Sequence, residues 1–450
     1  MNEFTIGYAG LSKASWKTPK ITALMHNALG SLKHLPTRIV HDDDLTTTEA
    51  EAIALCDKFN SEGVDAVILH FASFPVGAII PAIAQRVKVP VILFANPETP
   101  EDGGIWSQNS FCGANMAAHV LHKMNCQYQF AWGKAEDAAS VMSPSVNVFN
   151  CVRNLAATRL GLVGGRVPGF YTSNFDEMKL RSALGVTVEL IELLEVVNEA
   201  KKISGTDAAE GLKQVRESAS KVCAVTDQEL QLAGNLFQAF LKTADKYGLD
   251  GYAIRCWPEF SDIYGIAPCA VIGMLNNAKL PASCEGDIPG AVTMRIQQAL
   301  SGGMIPFFVD LISFDHLDNT AVVWHCGAAP VSLCRQFDET TLCKHARVDG
   351  GGKKGVTNDF SLKSGRITLA KLDETPTGYR MLIASGTALD TDKFIRGNPL
   401  RIKFDGNMKM LIETIMKRGF EHHYSVIHAD IKAELLAFCE LMSIESIVIE

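Results

Sequence analysis

Short apolar runs alternate with amphipathic stretches through the first third of the chain. VDAVILHFASF and VPVILFANPE are rich in β-branched residues and end in polar or small ones, and the preceding TTTEAEAIALCDKFNSEG has apolar residues at helical spacing. Short apolar strands separated by helices are typical of parallel sheets covered on both faces. The pattern predicts a doubly wound parallel-sheet α/β domain over residues 1–147.

The same alternation continues in the middle of the chain. RLGLVGGRVPGFY is typical of a strand that runs into a glycine-rich turn, and VTVELIELLEV of a strand followed by a helix. TDQELQLAGNLFQAFLKTADKYGLDG has a threonine or aspartate at its start and a glycine at its end, the usual limits of an amphipathic helix. With GYAIRCW as a further strand, we predict a second doubly wound α/β domain over residues 148–268.

Beyond about residue 270 the period of the pattern changes from helical to strand-like. GVTNDFSLKSGRITLAKLDETPTGYRMLIASGTALD alternates apolar and polar positions between Gly, Asp, Thr and Pro turns, which is typical of antiparallel strands. We expect a β-rich barrel or sandwich in a third domain, residues 269–450. The final YSVIHADIKAELLAFCELMSIESIVIE is predicted to form strand, helix and strand.

Composition narrows the class of protein. A chain of 450 residues is too long for one ordinary core, and its net charge of −8 argues against a nucleic-acid partner. No apolar run approaches the roughly 20 residues that span a bilayer, and the N-terminus does not resemble a signal peptide. The 12 cysteines are scattered without a CxxC pair, as expected of reduced thiols. We therefore expect a cytoplasmic protein without a membrane partner.

Four acidic residues are embedded among apolar or small neighbours in the middle of the chain. Glu259 stands in RCWPEF, Glu285 and Asp287 in CEGDIPGA, and Asp310 in PFFVDLISFD. A carboxylate withdrawn from water is costly unless a cation or hydrogen-bond donors compensate it, so clustered buried acids indicate a metal site or proton-transfer chemistry. Glu259 follows a predicted strand, where open α/β sheets place their ligands.

CEGDIPGA permits two interpretations. If the segment is extended, Glu285 and Asp287 lie on the same face, and Gly286 lets the backbone approach a bound ion or sugar. Alternatively the segment is a turn in which Asp287 caps a helix that begins near Pro289. Both can hold, because a residue at a helix start can still reach into a cleft.

Histidines in two other segments are candidates to complete such a site. His325 lies in WHCGAAP, and His422, His423 and His428 lie in FEHHYSVIH. Adjacent histidines on a strand point to opposite faces, so we expect at most one of the HH pair to face the site. Carboxylate and imidazole ligands together suit Mn²⁺, Mg²⁺ or Co²⁺.

Other motifs give weaker indications of a functional site. GLVGGRVPGF fits neither GxGxxG nor the P-loop, and its Pro-Gly pair favours a tight turn. Nothing marks the cysteines near the acids as catalytic nucleophiles. Asp310 and Asp318 are weaker candidates, as indirect supports of the site or as caps. Arg255, Trp257 and Trp324 are plausible walls of a substrate pocket.

At these residues the chain resembles the L-fucose isomerase and L-arabinose isomerase superfamily, in its shorter, fucose-isomerase-like branch. The shared features, in order, are GVDAVIL, ASFPVG, VPVILFANPE, GLVGGRVPGFY, WPEF, CEGDIPGAVTM, NTAVVWHCGAAP and GFEHHYSVIHAD, and they span essentially the full length. The resemblance implies two α/β domains and a C-terminal domain with an antiparallel β-barrel. It also implies a homo-oligomer with a divalent ion, usually Mn²⁺, in a cleft between subunits.

The resemblance further implies roles for individual residues. Glu259 matches the family's first metal-binding catalytic glutamate, Asp287 its second acid and His423 its ligand histidine. The arabinose branch has a further ligand histidine that falls near His325, and its second acid is a glutamate that corresponds alternatively to Glu285. Glu285, with His422, is otherwise a candidate for binding substrate.

The implied reaction is aldose–ketose isomerisation through an enediol, with Glu259 and Asp287 as the acid and base. Candidate substrates are a deoxy or pentose sugar, or a hexose with an anionic group at C6 such as sulfoquinovose. The competing interpretation is a sugar-binding or regulatory protein that kept the fold without the chemistry.

Overall fold

The computed structural model describes residues 3–98, 107–346 and 354–450. The chain divides into two compact units, residues 1–153 and residues 154–450. The three-domain division, with boundaries at 147/148 and 268/269, stays a prediction. In the described ranges, no helix combines the length and the apolar character needed to cross a membrane.

The first unit contains a five-stranded sheet in the order β2-β1-β3-β4-β5, with every neighbouring pair parallel. Its central strands are apolar and buried along their whole length, because helices cover both faces of such a sheet. This confirms the parallel α/β sheet predicted from the alternating pattern. The strands are β1 Thr5–Leu11, β2 Arg38–His41, β3 Ala66–Phe71, β4 Val91–Ala95 and β5 Tyr128–Trp132. The helices are α1 Pro19–Leu32, α2 Glu49–Ser61, α3 Ile79–Arg86, α4 Ser110–Lys123 and α5 Ala138–Ala156.

The second unit begins with another parallel sheet, in the order β10-β9-β6-β7. Its strands are β6 Arg159–Val163, β7 Thr187–Ile191, β9 Gly251–Ile254 and β10 Ala282–Cys284. The helices around it are α6 Glu177–Leu184, α7 Leu193–Lys202, α8 Gly205–Glu217, α9 Asp227–Tyr247, α10 Cys269–Asn277 and α11 Ile288–Leu300. Helix α9 begins at a capping box of Thr226 and Glu229 and ends at Gly248, which confirms both predicted limits.

The rest of the second unit is rich in antiparallel strands, as the period-two alternation predicts. A seven-stranded sheet has the order β15-β18-β11-β12-β17-β16-β19, and because β15 also pairs with β16, six of its strands pair in a closed circuit. Only the β16–β19 pair is parallel among the pairings described for this sheet. The barrel form itself stays a prediction.

The strands of this sheet are β11 Phe307–Asp315, β12 Thr320–Trp324, β15 Gly365–Thr375, β16 Gly378–Ala388, β17 Leu400–Phe404, β18 His423–Ile427 and β19 Glu445–Ile449. The last helices are α12 Met408–Arg418 and α13 Lys432–Leu441. A separate three-stranded sheet has the order β14-β13-β8, formed by β8 Lys221–Cys223, β13 Thr341–Lys344 and β14 Gly355–Asp359.

Helix α11 joins the two kinds of sheet in the second unit. It contacts β9 and β10 of the parallel sheet and β15 and β18 of the antiparallel sheet. Nearly all of its residues are buried; most are apolar or small, and the buried Gln297 forms hydrogen bonds with Thr368 and Ser425. Its first turn therefore brings the CEGDIPGA segment against β18, the strand that begins at His423.

Candidate metal centre and active site

His423 lies at the centre of the candidate site. It is the first residue of β18 and is fully buried. The pairing of β18 with β11 places Asp310 opposite His423, and the pairing of β11 with β12 places Trp324 opposite Asp310. Residues directly opposite each other in antiparallel strands have side chains on the same face. His423, Asp310 and Trp324, from three segments singled out in the sequence, therefore lie in one row across neighbouring strands.

The two acids of CEGDIPGA contact opposite nitrogens of the His423 ring. Asp287 Oδ2 lies 3.0 Å from His423 Nδ1, and Glu285 Oε2 lies 3.0 Å from Nε2. Asp287 is also the N-cap of α11, where its carboxylate accepts a hydrogen bond of 2.8 Å from the backbone N–H of Gly290. Both predicted roles of Asp287, as a helix cap and as part of a polar cluster, occur together.

The segment is not extended, so of the two interpretations left open by the sequence the structure has the turn. Glu285 and Gly286 both have left-handed backbone, with φ of 60° and 72°. A Cβ at Gly286 would lie 2.5 Å from the carbonyl oxygen of Gly165, so this turn packs directly on the glycine-rich turn after β6. The close approach allowed by glycine here serves backbone packing.

Three groups of metal-ligating side chains lie in this region, and His423 belongs to each of them. In each group the candidate ligand atoms lie within 4.8 Å of one another. The groups are Glu285, His422 and His423; Asp310, His325 and His423; and Asp287, Glu421 and His423.

Lys371 and Glu421 are members of the cluster that the sequence did not suggest. The Lys371 ammonium, which is 1% exposed, lies 3.3 Å from Asp287 Oδ2 and forms a second ion pair with Glu421. Burial favours the neutral form of Asp287, but the charge of Lys371 and the hydrogen bond with His423 outweigh it and hold the pKa of Asp287 well below its usual range. This side of the His423 ring, facing Nδ1, therefore already contains a cation.

The opposite side of the ring, facing Nε2, has Glu285 and Asp310, which form no ion pair with a lysine or arginine in the described part of the chain. Burial acts to raise the pKa of Glu285, but hydrogen bonds with His422 and His423 dominate and lower it. Burial acts to lower the pKa of His423, and the hydrogen bonds with Asp287 and Glu285 raise it to about 9. Asp310 Oδ1 is buried, lies 3.7 Å from His423 Nε2 and forms no hydrogen bond with any residue that the structure describes. An unpartnered buried carboxylate oxygen beside an imidazole suits a bound divalent cation.

His325 approaches the same cluster from the end of β12. Its ring stacks on that of Trp324 with an interplanar angle of 11°, and its Nδ1 accepts a 3.0 Å hydrogen bond from the backbone N–H of Cys326. In a neutral ring the proton then lies on Nε2, which makes that nitrogen a hydrogen-bond donor. Trp324 is anchored by its own bond of 2.6 Å to the carbonyl oxygen of Arg396.

Glu259 stands outside these ligand groups among the residues that the structure describes. Its carboxylate forms an ion pair with Arg255, whose Nη1 also donates to the carbonyl oxygen of Gly164 at 3.3 Å. The second oxygen of Glu259, Oε2, is buried without a hydrogen-bond partner. The structure therefore places Asp287 and Glu285 against His423, and Glu259 outside these three ligand groups. The role of Glu259 as a metal ligand stays a prediction.

Two aromatic side chains, Trp257 and Phe170, contact the residues of the cluster that lie nearest to solvent. Trp257 Nε1 donates to Glu285 Oε1 at 2.9 Å. Phe170, from PGFY in the loop after β6, makes edge-to-face contacts with Trp257 and His422, with ring centroids 5.6 Å and 5.8 Å apart. Trp257, Glu285 and His422, which were proposed to bind substrate, therefore lie close together. Phe170 also contacts this group and was not among the predicted residues.

The expectation that the two histidines face opposite sides is wrong. His422 lies in a bend before β18, so strand alternation does not apply to it, and its Nε2 lies 3.9 Å from the same Glu285 oxygen that His423 contacts. Of the weaker candidates, Asp318 is a cap, because it accepts from the backbone N–H of Thr320 at 3.0 Å.

An open cavity of about 680 Å³ adjoins the cluster at Lys371 and Glu421. Its wall also includes Tyr171, Lys179 and Asp373. The volume is within the range of small-molecule sites.

Comparisons with known proteins identify the family of the chain. Residues 20–156 match the family model of the fucose/sulfoquinovose isomerase N-terminal domain, and residues 323–450 match that of the L-fucose isomerase C-terminal domain. A sulfoquinovose isomerase of Alkalicoccus urumqiensis is 30% identical over 390 residues, which cover 86% of each chain. The chain belongs to the fucose and sulfoquinovose isomerase family.

Further members of this isomerase family match the chain over nearly its full length. The sulfoquinovose isomerase of Priestia aryabhattai is 27% identical over 99% of each chain, and that of a Clostridium species, strain MSTE9, is 26% identical over 100% of each. The prediction of an aldose–ketose isomerase is confirmed. A myo-inositol-bound solute-binding protein from Bacillus halodurans is 14% identical over 67% of this chain and 90% of its own, with a TM-score of 0.19, too low to bear on fold or function.

Proposed function

We propose that this isomerase uses a divalent cation, with Mn²⁺ first among the candidates and Mg²⁺ or Co²⁺ next, to convert a C6-anionic aldohexose such as sulfoquinovose into its ketose. The observation that carries the proposal is the arrangement around His423. Acidic oxygens approach both ring nitrogens, and a buried oxygen of Asp310 beside Nε2 has no hydrogen-bond partner.

The cation would be held on the Nε2 side of His423, with Glu285 and Asp310 as its carboxylate ligands; these two acids belong to separate ligand groups that share His423, so both would have to close on one ion. The Nδ1 side is the poorer location, because the Lys371 ammonium already compensates Asp287 there. Histidine ligands commonly donate their second ring N–H to a carboxylate, which fixes the ring, and Asp287 is positioned to accept such a bond at 3.0 Å. Asp287, assigned from the sequence as a ligand, becomes the residue that orients one.

His325 and His422 would complete the surroundings of the cation. Because the Nδ1 of His325 accepts from the Cys326 backbone, its Nε2–H suits a hydrogen bond to Asp310 better than a bond to metal. His422 lies at the outer edge, 44% exposed at its side chain, where it can meet substrate.

The chemistry requires a base near C2 of an open-chain sugar and an acid that returns the proton at C1. Glu259 remains the candidate for this transfer, because its buried Oε2 has no partner and Arg255 holds its other oxygen. Trp257 positions Glu285, and Phe170 helps to exclude water beside it. A bound divalent ion would supply Lewis-acid polarisation of the C1 and C2 oxygens.

The anionic end of the substrate would be bound by Arg166. The relatives are sulfoquinovose isomerases, and a sulfonate needs a cation that is not already neutralised. Arg166 is half-buried, and its backbone packs on the turn at Gly286. Its guanidinium lies over the Tyr171 ring and, within the described part of the chain, has no carboxylate partner.

Other family properties extend the proposal. We infer that the closed circuit of six strands is the family's barrel, that the protein is a cytoplasmic homo-oligomer, and that its active site lies at a subunit interface. None of these is needed for the test that follows.

The test is an assay of ketose formation from a panel of aldoses, including sulfoquinovose, fucose, arabinose and glucose, after chelation and with or without added Mn²⁺. We expect Mn²⁺-dependent conversion of the sulfonated sugar. Arg166→Gln should raise its KM about tenfold or more, since a charge-assisted hydrogen bond contributes roughly 1.5–3 kcal/mol. Arg216→Gln, which removes an exposed arginine paired with Asp227, is the matched control. Full activity in the chelated protein, or equal rates on sulfonated and neutral hexoses, would overturn the proposal.

A further inference from the structure

A second group of metal-ligating side chains lies in the same unit and takes no part in the chemistry proposed above. Cys269, Cys326 and His345 have ligand atoms within 4.8 Å of one another. Cys269 is the first residue of α10, Cys326 follows β12, and His345 follows β13 directly. Cys269 is buried, and the other two are half-buried.

The spacing of the two sulfur atoms fits a tetrahedral metal ion. Cys269 Sγ and Cys326 Sγ are 3.8 Å apart. Two ligands of a tetrahedral zinc ion with Zn–S bonds near 2.3 Å are separated by about 3.8 Å. A disulfide would require about 2.05 Å. The sulfurs are therefore at the separation of two thiolates around one metal ion.

We propose that Cys269, Cys326 and His345 bind Zn²⁺. Two thiolates and one imidazole form a set that prefers zinc, whereas the carboxylate-rich cluster around His423 prefers a harder ion. On binding, each thiol loses its proton to solvent, and the imidazole binds in its neutral form. The protein thus supplies three of the four tetrahedral positions.

The role of this zinc follows from what it would connect. It would tie the loop after β12 to the start of α10 and to the end of β13. Cys326 adjoins His325, whose ring belongs to the Asp310–His423 group. Zinc would therefore fix the position of His325 without contacting the substrate.

Neighbouring cysteines lack this combination and provide controls. Cys343 lies two residues before His345 on the same strand, but its Sγ contacts Arg396 Nη2 at 2.7 Å and Thr357 Oγ1 at 3.5 Å. It does not belong to any ligand group among the described residues.

The test uses Co²⁺ in place of zinc on the full-length His423→Gln protein, in which the other proposed site is disabled. Thiolate–cobalt bonds give a charge-transfer absorption in the near ultraviolet that carboxylate and imidazole ligands do not give. We expect it to saturate at one equivalent, to disappear in Cys269→Ser and Cys326→Ser, and to persist in Cys343→Ser. Absence of the band from folded protein, or its persistence in both ligand variants, would overturn the proposal.

If the serine variants fail to fold, alkylation of the otherwise unaltered chain gives the answer. At free Zn²⁺ about ten times its Kd, the unbound fraction falls about tenfold, and the alkylation rates of Cys269 and Cys326 should fall with it. A chelator should restore them, and the exposed Cys112 should react at one rate throughout. Unchanged rates at Cys269 and Cys326 would contradict zinc binding.

Discussion

Lys371 is the residue whose loss should damage the folded state most directly. Its ammonium, 1% exposed, is paired with two buried carboxylates, those of Asp287 and Glu421. Lys371→Met leaves both carboxylates in a low-dielectric interior without their cation. Breaking a buried ion pair in this way costs about 3–5 kcal/mol. We expect this loss in the free energy of unfolding, measured by urea titration.

Lys417→Met is the matched control for that experiment. Lys417 pairs with Glu413 on the exposed face of α12, where an ion pair contributes about 0.5 kcal/mol or less. If the two variants have the same urea midpoint, Lys371 does not compensate the buried acids.

His70 should make stability depend on pH. Burial on β3 lowers its pKa to about 4, although the hydrogen bond with Asn96 opposes this shift. The unfolded chain, with a histidine pKa near 6.5, binds the proton more readily than the folded protein. Stability is therefore full above pH 6.5 and falls by roughly 3 kcal/mol as the pH decreases to 4.

The check is the slope of unfolding free energy against pH between 6.5 and 4. His70→Gln should flatten that slope, and the exposed His34→Gln should leave it unchanged. A slope that is identical in the His70 variant and the parent protein would show that another group causes the decline.

The sequence identifies a residue of the site when the residues next to it along the chain indicate that its side chain is buried. Asp287 could be identified because apolar and small neighbours implied burial of its carboxylate, whereas His423 was singled out from the HH pair by the family resemblance. Lys371 and Glu421 could not, because LAKLDET resembles an ordinary strand with alternating polar positions, and the partner of Lys371 lies 84 positions away. Ion pairs between buried residues that are far apart in the chain leave no pattern in the sequence around either residue.

At the scale of elements, the contact between α8 and α9 depends on two glycines. A Cβ at Gly234 would lie 2.4 Å from the carbonyl carbon of Gly211, so the two backbones touch. Gly234→Ala should separate the helices and destabilise the protein by about 1–3 kcal/mol, as overpacking does.

Gly30→Ala is the matched helical control for thermal unfolding. The Cβ position at Gly30, in α1, has no atom within 4 Å. Alanine there should leave the protein unchanged or stabilise it by up to about 1 kcal/mol. Equal destabilisation by both substitutions would mean that lost backbone contact is not the cause.

Helix caps can be predicted from the sequence more readily than turns with left-handed backbone. The limits of α9 and the cap of α11 followed from Thr226, Gly248 and Asp287, because capping is chemistry within one turn. The turn at Glu285 was not evident, since a left-handed glutamate is rare, and here its carboxylate contacts His423 while the next residue, Gly286, packs on Gly165.

At the scale of the whole molecule, the parallel and antiparallel regions were predictable from the period of the pattern. The pattern left a barrel or a sandwich open, because the closed circuit depends on the long-range pairing of β15 with both β16 and β18. The same long-range pairing brings Asp310 beside His423, which explains why the sequence ranked Glu259 above it.

The central claim is that His423, Glu285 and Asp310 hold one divalent ion. The most direct measurement is a titration of metal-free protein with Mn²⁺, in which electron paramagnetic resonance counts the unbound ion. We predict one tight site per chain that is lost in His423→Gln and in Asp310→Asn and persists in Glu259→Gln. Tight binding that survives loss of His423, or that disappears with Glu259 alone, would contradict the account.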